Sequence, residues 1–260
     1  MARLVVVSNR VPNPADIAAP LAGGLVVALA EALVPGSLWF GWSGRVVENA
    51  TNQPRSTEAH GITYATIDLE EAAYRDFYLG FSNGTLWPLF HMITGFTVFE
   101  RSQYAVYHRV NERYAEALVP LLQPDDMIWI HDYQLLSVAA ALRERGVTNR
   151  IGFFLHIPFP APALFEILPP ALELLENMLA HDVIGFQTVR DKAHFLDAVP
   201  AFRRGDGSIL LFTHGTAQIS VNGQMLGTVT DPIFARVILA TFIGHAPPTD
   251  RVKRELLGED

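Results

Sequence analysis

Between Met127 and Val199 short apolar runs alternate with segments of helical spacing, and no other feature of the chain constrains its fold as strongly. Met127–Ile130, Ile151–Leu155 and Val183–Phe186 read as strands, and Leu135–Leu142, Ala171–Leu179 and Arg190–Val199 as the helices that follow them. Strands alternating with helices join by right-handed crossovers into a parallel sheet. The runs are apolar throughout, as in a sheet covered on both faces. The pattern predicts an α/β fold, a Rossmann-like doubly wound parallel sheet. Upstream, Leu4–Ser8, Leu38–Trp42 and Ile62–Ile67 read as further strands, and Val11–Pro20 as a loop. Helical spacing runs over Ala22–Val34, over Leu69–His91 with a break near Ser82–Gly84, and over Tyr107–Leu122, which Pro120 is placed to end.

The texture changes after Phe202. Ile209–Phe212 reads as a strand. Gln218–Val221 and Gln224–Leu226 flank Asn222-Gly223, the turn pair of a tight β-hairpin. Asp231-Pro232 opens a helix that Gly244 closes, and Thr249–Gly258 reads as a last short helix. This is not another strand–helix–strand unit. It predicts two parts: a domain over 1–203 and a hairpin and two-helix appendage over 204–260, joined through the polar segment Arg203–Gly207.

Composition narrows the function. The net charge is −8, from 19 basic against 27 acidic residues. That argues against nucleic acid and anionic membrane as partners, which need a cationic face, but leaves room for one small basic pocket. There is no cysteine, so disulfides, thiolate nucleophiles and Cys-ligated zinc are ruled out, and a cytoplasmic setting is expected. Mean hydropathy is high at +0.21. Even so, no apolar run reaches the roughly 18 residues that a spanning helix needs. Arg3 and Arg10 ahead of Leu25–Ala30 mimic a signal peptide, yet Leu4–Val7 reads better as a buried strand.

In open parallel sheets ligands bind beyond the carboxyl ends of the strands. That rule selects Ser8–Arg10, His131–Asp132, His156 and Gln187–Thr188. Arg10 fits a phosphate through its planar fork, or a surface ion pair. Gly23-Gly24, at a helix start, allows backbone amides to approach a phosphate, or is only a flexible turn. Asp132 is suited to sugar hydroxyls or to proton transfer, or caps the helix after it. His156 stands before Pro158 and Pro160, which hold a loop that presents a side chain; the alternative is a structural histidine. His131, Asp132 and His156 match no metalloenzyme spacing such as HExxH, so no metal is assigned. Trp39, Trp42, Tyr78 and Trp87 lie near these loops and pack against either a sugar face or the core. Ser8, Ser43 and Ser82 lack a nucleophile-elbow context.

Several segments carry a resemblance. They are RLVVVSNR (Arg3 to Arg10), AGGL (Ala22 to Leu25), LWFGWSG (Leu38 to Gly44), FSNGTLWPLFH (Phe81 to His91), DMIWIHDYQLL (Asp126 to Leu136), NRIGFFLHIPFP (Asn149 to Pro160) and IGFQT (Ile184 to Thr188). Through them residues 1 to about 200 resemble the N-terminal half of the trehalose-6-phosphate synthases, retaining UDP-glucose-dependent glycosyltransferases. The resemblance implies two Rossmann-like domains facing a cleft. It implies glucosyl transfer from UDP-glucose to glucose 6-phosphate, with no metal, no cofactor and no protein nucleophile. Arg10 matches the phosphate-binding Arg, Tyr78 and Trp87 the acceptor-contacting aromatics, and Asp132 the sugar-contacting carboxylate. Gly23 and Gly24 match the loop near the donor phosphates, and His156 the histidine near the transferred glucose. His156 and Asp132 are the residues the resemblance puts closest to the chemistry.

Two departures stand out. Gln134 occupies a position where the family usually has His. No segment after about residue 202 supplies the family's second domain, with its donor-binding residues. The expectation is therefore a chain that binds glucose 6-phosphate, meets UDP-glucose only if another chain supplies a donor domain, and lacks turnover alone. A non-catalytic glucose-6-phosphate-binding module is the alternative; a homo-oligomer stays open. From about Asp206, ISVNGQMLGTV (Ile219 to Val229), DPIFARVILATFIG (Asp231 to Gly244) and RVKRELLG (Arg251 to Gly258) resemble the C-terminal end of chalcone-isomerase-like proteins. A small apolar-ligand binder through this tail is the lesser alternative, since a hairpin and two helices are too little to enclose an apolar cavity of their own.

Overall fold

The computed structural model describes residues 3–14, 33–202, 208–213, 216–221 and 224–229, with side chains described as far as residue 199. A seven-stranded sheet dominates. Its strands are β1 (Leu4–Arg10), β2 (Leu38–Val47), β3 (Arg55–Ala59), β4 (Ile62–Glu70), β5 (Met127–His131), β6 (Arg150–Leu155) and β7 (Val183–Phe186), in the spatial order β3-β4-β2-β1-β5-β6-β7. Every pairing is parallel except β3 with β4. The order runs outward from β1 in one direction through β2 and β4, and from β5 in the other through β6 and β7. The topological switch therefore lies between β1 and β5, where such sheets open a crevice.

The sheet is Rossmann-like, and its apolar strands explain why. Val5, Val7, Phe40, Ile128, Ile130, Phe153 and Leu155 form one buried cluster with Tyr107, Leu118, Leu142 and Leu174. These last come from the helices Arg101–Leu118, Val138–Glu144 and Ala171–Met178. The alternate strand residues Val6, Trp39, Trp129 and Phe154 are just as buried on the opposite face. Side chains alternate across a strand, so an all-apolar run buries both faces. Burial of each such side chain contributes about 1.5–3 kcal/mol.

Three features differ from the expectations. β3 is a polar edge strand, RSTEA, almost wholly exposed, and offers no apolar alternation to read. Its turn does carry a signal: Ala59 pairs with Ile62 across His60 and Gly61, both at positive φ (53° and 76°), the geometry of a tight hairpin turn. Second, the helical stretch after β4 is not broken at Ser82–Gly84. It continues through Glu71–Ala73, a wide π-helical Tyr74–Leu86 and Trp87–Phe90. Gly80 lets this stretch pack closely on Gln103, whose amide lies where a Cβ would sit, 2.6 Å away. Third, the next helix begins at Arg101, ahead of its apolar spacing, and gives way to a 3-10 turn, Val119–Leu121, at Pro120.

Ser208–Thr213, Thr216–Val221 and Gln224–Val229 form a separate antiparallel sheet. Gln224 pairs with Val221, as the Asn222-Gly223 hairpin requires, though those two turn residues lie outside the described set. So do the Ala22–Val34 helix but for its last two residues, Gly23 and Gly24, the 203–207 link and everything from residue 230.

Candidate functional site

The site begins with a bulge. β1 and β2 pair in step as far as Ser8 with Gly41, and then Arg10, not Asn9, faces Trp42. The strands lie so close that a Cβ on Gly41 would fall 2.1 Å from the Ser8 carbonyl oxygen. Such a bulge re-aims the side chain after it. Three hydrogen bonds hold it. Trp39 Nε1 donates to Ser8 Oγ at 2.8 Å, Ser8 Oγ donates to the Arg10 carbonyl at 3.0 Å, and Tyr114 OH donates to the Asn9 carbonyl at 2.7 Å. The Arg10 guanidinium then lies against Gly44, and it makes no ion pair with any described residue.

Aromatic rings gather on Trp42, the strand partner of Arg10. Trp42 touches Tyr74 and Tyr78, with ring centroids 5.7 and 5.8 Å apart, and Tyr74 stacks on Tyr78 at 5.6 Å. Trp39 and Trp42 are buried, which is the core reading of those residues. Tyr78 is half-buried, and Trp87 is exposed and stacked on His91 at 4.1 Å. The wide turns of Tyr74–Leu86 carry Tyr78 and also Asn83, whose Oδ1 accepts the Tyr133 hydroxyl at 2.7 Å. One helical stretch thus reaches from the Arg10 side to the Asp132 turn.

Asp132 stands at the end of β5 with φ 75° and ψ 167°. That region is otherwise almost reserved for glycine and stores about 1–3 kcal/mol of strain. A buried network holds the turn. Tyr107 OH donates to the Tyr133 carbonyl at 2.9 Å and accepts from Leu136 N at 3.1 Å. Asn111 Nδ2 donates to the Gln134 carbonyl at 3.1 Å, and its Oδ1 accepts from Ser137 N at 3.2 Å. Asp132 Oδ1 accepts from Tyr133 N at 3.0 Å and from His156 N at 3.2 Å. The side chain is therefore a cap, and its other oxygen, Oδ2, has no hydrogen bond among the described residues. Burial pushes this carboxyl up to about 7, against the pull of the two N–H donors. A carboxyl titrating there can accept from or donate to a hydroxyl.

His156 follows β6. Its carbonyl accepts from Gln187 Nε2 at 2.6 Å, which joins the ends of β6 and β7. Its ring Nε2 lies 2.9 Å from Nδ1 of the fully buried His131. Burial pushes His156 down to about 3 and His131 well below the usual histidine range, so both rings are neutral near pH 7. Beyond them, Asp191 accepts from Phe159 N at 3.2 Å and from the Thr188 hydroxyl at 2.6 Å, which fastens the proline loop to the Val189–Phe202 helix.

The strained, up-shifted Asp132 carboxyl and Arg10, which makes no ion pair among the described residues, stand at the ends of the two adjacent strands that flank the switch point. The glycosyltransferase family 20 profile matches residues 5–229. The chain belongs to glycosyltransferase family 20. It is 49% identical over 201 residues to a trehalose-6-phosphate synthase of Klebsiella pneumoniae, covering 76% of this chain and 42% of that one. A trehalose-6-phosphate synthase of an Enterobacter species is 43% identical over 260 residues, covering 98% and 53%. The crystal structure of a UDP-forming alpha,alpha-trehalose-phosphate synthase from Burkholderia xenovorans in complex with glucose-6-phosphate superposes with a TM-score of 0.75 at 44% identity, covering 86% and 48%. The chain thus spans about half the length of the curated relatives it matches. The family 20 match runs into the segment that resembled chalcone-isomerase-like proteins, and that second resemblance finds no support.

The structure joins Asp132 to His156 by a hydrogen bond and places Tyr78 on Trp42, the strand partner of Arg10; the helical stretch that carries Tyr78 also carries Asn83, which reaches Tyr133 beside Asp132, and Trp87 lies to one side on His91. Gly23 and Gly24 lie outside the described residues. Sequence reasoning named Trp42 without its contact to Tyr78, and missed Gly44 as the surface under Arg10 and the hydrogen bond between His131 and His156. The spacing in LWFGWSG held both Trp42 and Gly44: a strand carrying two tryptophans and ending in glycine. Among the described residues, no helix is long and apolar enough to cross a membrane, and no three His, Asp or Glu side chains gather as metal ligands.

Proposed function

We propose that residues 1–203 form the acceptor-binding domain of a trehalose-6-phosphate synthase and hold glucose 6-phosphate, with 204–260 as an appendage. The observation that carries this is the bulge-held Arg10 over Gly44, without an ion pair among the described residues, one strand away from Asp132. An exposed guanidinium with open donors suits a phosphate. Tyr78 and Trp87 flank the sugar, Asp132 Oδ2 takes a sugar hydroxyl, and His156 meets the glucose being transferred. Gly23 and Gly24 approach the donor phosphates.

In the whole reaction glucose passes from UDP-glucose to glucose 6-phosphate, and the leaving UDP phosphate takes the acceptor proton on the same face. The protein acts by orientation and charge stabilisation. The 260-residue chain by itself binds the acceptor and does not turn over, because half a cleft holds only one reactant in place. UDP-glucose binds when a donor domain is present. Equilibrium dialysis against labelled glucose 6-phosphate and UDP-glucose, with an assay for trehalose 6-phosphate, tests this. Retention of the first ligand alone, without product, is the expected result. Product formed by the pure chain overturns the acceptor-only reading, and retention of neither ligand overturns the site.

A second reading is a non-catalytic glucose-6-phosphate-binding module, favoured by Asp132 serving as the cap of its own turn. Adding a separately made C-terminal half of a relative separates the two: restored turnover supports the synthase.

A further inference from the structure

His131 Nδ1 and His156 Nε2 share one hydrogen bond of 2.9 Å, and one of the two nitrogens carries the hydrogen. The surroundings decide which. His131 is fully buried, and its Nε2 has no partner among the described residues. Trp129 packs on it with ring centroids 4.2 Å apart, and the Trp129 indole N–H is likewise buried and unpartnered. If His156 donated through Nε2, His131 would have to be protonated at its own Nε2. Two N–H groups without acceptors would then be buried side by side. Buried N–H groups without an acceptor are the rarer defect in folded chains. If His131 donates through Nδ1, its Nε2 is a bare lone pair and the hydrogen sits instead on His156 Nδ1, which is not among the buried unpartnered atoms, so the Trp129 N–H is the one buried orphan of the three rings.

His156 is otherwise fixed at its backbone. Its N–H donates to Asp132 Oδ1 at 3.2 Å, and its carbonyl accepts from Gln187. Its Nδ1 has no hydrogen-bond partner among the described residues. In a neutral imidazole, the bond made by one nitrogen decides which nitrogen keeps the proton.

We propose that His131 is a positioning residue: its Nδ1–H donates to His156 Nε2, which locks His156 as the Nδ1–H tautomer and makes that N–H a fixed donor to an oxygen of the bound sugar. The identity of the acceptor oxygen rests on the sugar-phosphate reading above; the tautomer does not. A free neutral imidazole prefers the opposite form, protonated at Nε2, so the lock has a spectroscopic signature.

The test is long-range proton–nitrogen NMR of the full chain with 15N-labelled histidine, near neutral pH and without ligand. The wild type is expected to show His156 protonated at Nδ1 and bare at Nε2. His131→Phe removes the donor and is expected to move His156 toward the Nε2–H form. His131→Asn, whose side-chain amide nitrogen stands close to the lost Nδ1, is expected to restore it. A wild-type His156 protonated at Nε2 overturns the proposal, and so does a His156 that His131→Phe leaves unchanged. If His131→Phe fails to fold, the wild-type and His131→Asn spectra still decide. A chain with the locked tautomer that retains no glucose 6-phosphate leaves this assignment standing and removes the sugar reading. A chain that retains the ligand with His156 in the Nε2–H form does the reverse.

Discussion

The Arg10 guanidinium lies against Gly44 so closely that a Cβ on Gly44 would come within 2.7 Å of Arg10 Nε and 2.8 Å of Nη2. Gly44 also holds φ at 85°. The glycine serves twice, by adopting a backbone conformation that side chains disfavour and by leaving room for the cation. The bulge between Ser8 and Arg10 aims the side chain, and Gly44 gives it a surface to lie on.

Gly44→Ala is therefore expected to weaken glucose 6-phosphate binding by displacing Arg10, while the left-handed backbone costs roughly 1–2 kcal/mol of stability. Calorimetric titration paired with urea unfolding checks both effects. Unchanged affinity in a folded variant contradicts the account of Arg10.

Arg10→Ala removes the charge-assisted contact itself. Such a bond contributes about 1.5–3 kcal/mol, so affinity for glucose 6-phosphate is expected to fall about ten- to hundred-fold. Arg10 makes no ion pair among the described residues, so its loss leaves no carboxylate stranded. Unfolding midpoints of the variant and the wild type are expected to agree closely.

Tyr107→Phe tests the support beneath Asp132. The variant deprives the buried Tyr133 carbonyl and Leu136 N–H of a partner. Loss of about 1–3 kcal/mol is expected in urea unfolding, the cost of leaving such groups unpaired. A neutral effect would mean that the network does not hold the turn.

Asp132→Asn tests the buried carboxyl. The folded pKa of about 7 stands above the unfolded value, which is about 3.9. Between these values the folded chain holds a proton that the unfolded chain has released. The stability from this group is full below the unfolded pKa and is lost as pH rises through the folded one. The buried histidines act in the opposite sense. His156 and His181 are pushed down to about 3 and about 4 by burial. Their contribution is present above the ordinary histidine range and is lost as pH falls through those values. The stability of Asp132→Asn relative to wild type is therefore expected to increase between about pH 4 and about pH 7 and to level off above that. A difference that does not change with pH contradicts the up-shifted carboxyl.

The strands that frame the crevice were legible because each is an uninterrupted apolar run, and the rule that ligands sit beyond their carboxyl ends selects Arg10, Asp132 and His156, which stand at the ends of β1, β5 and β6. β3 was not legible, because a polar edge strand has no buried face to impose alternation. The helical run through Ser82–Gly84 was misread as broken because serine, asparagine and glycine together signal a turn. Here wide helical turns accommodate them, and Asn83 reaches Tyr133. The His131–His156 pair depends on the register of β5 against β6, which the spacing of either segment alone does not contain. Trp42 looked like core and is core; only the packing shows that its ring also backs Tyr78.

The central claim is that this chain carries a working acceptor site. Calorimetric titration of the folded wild-type chain with glucose 6-phosphate, beside UDP-glucose and the Arg10→Ala variant, tests it most directly. The account predicts saturable binding of glucose 6-phosphate that Arg10→Ala weakens strongly, and none of UDP-glucose. A folded wild-type chain that takes up no glucose 6-phosphate, or one that binds it equally well without Arg10, contradicts the account.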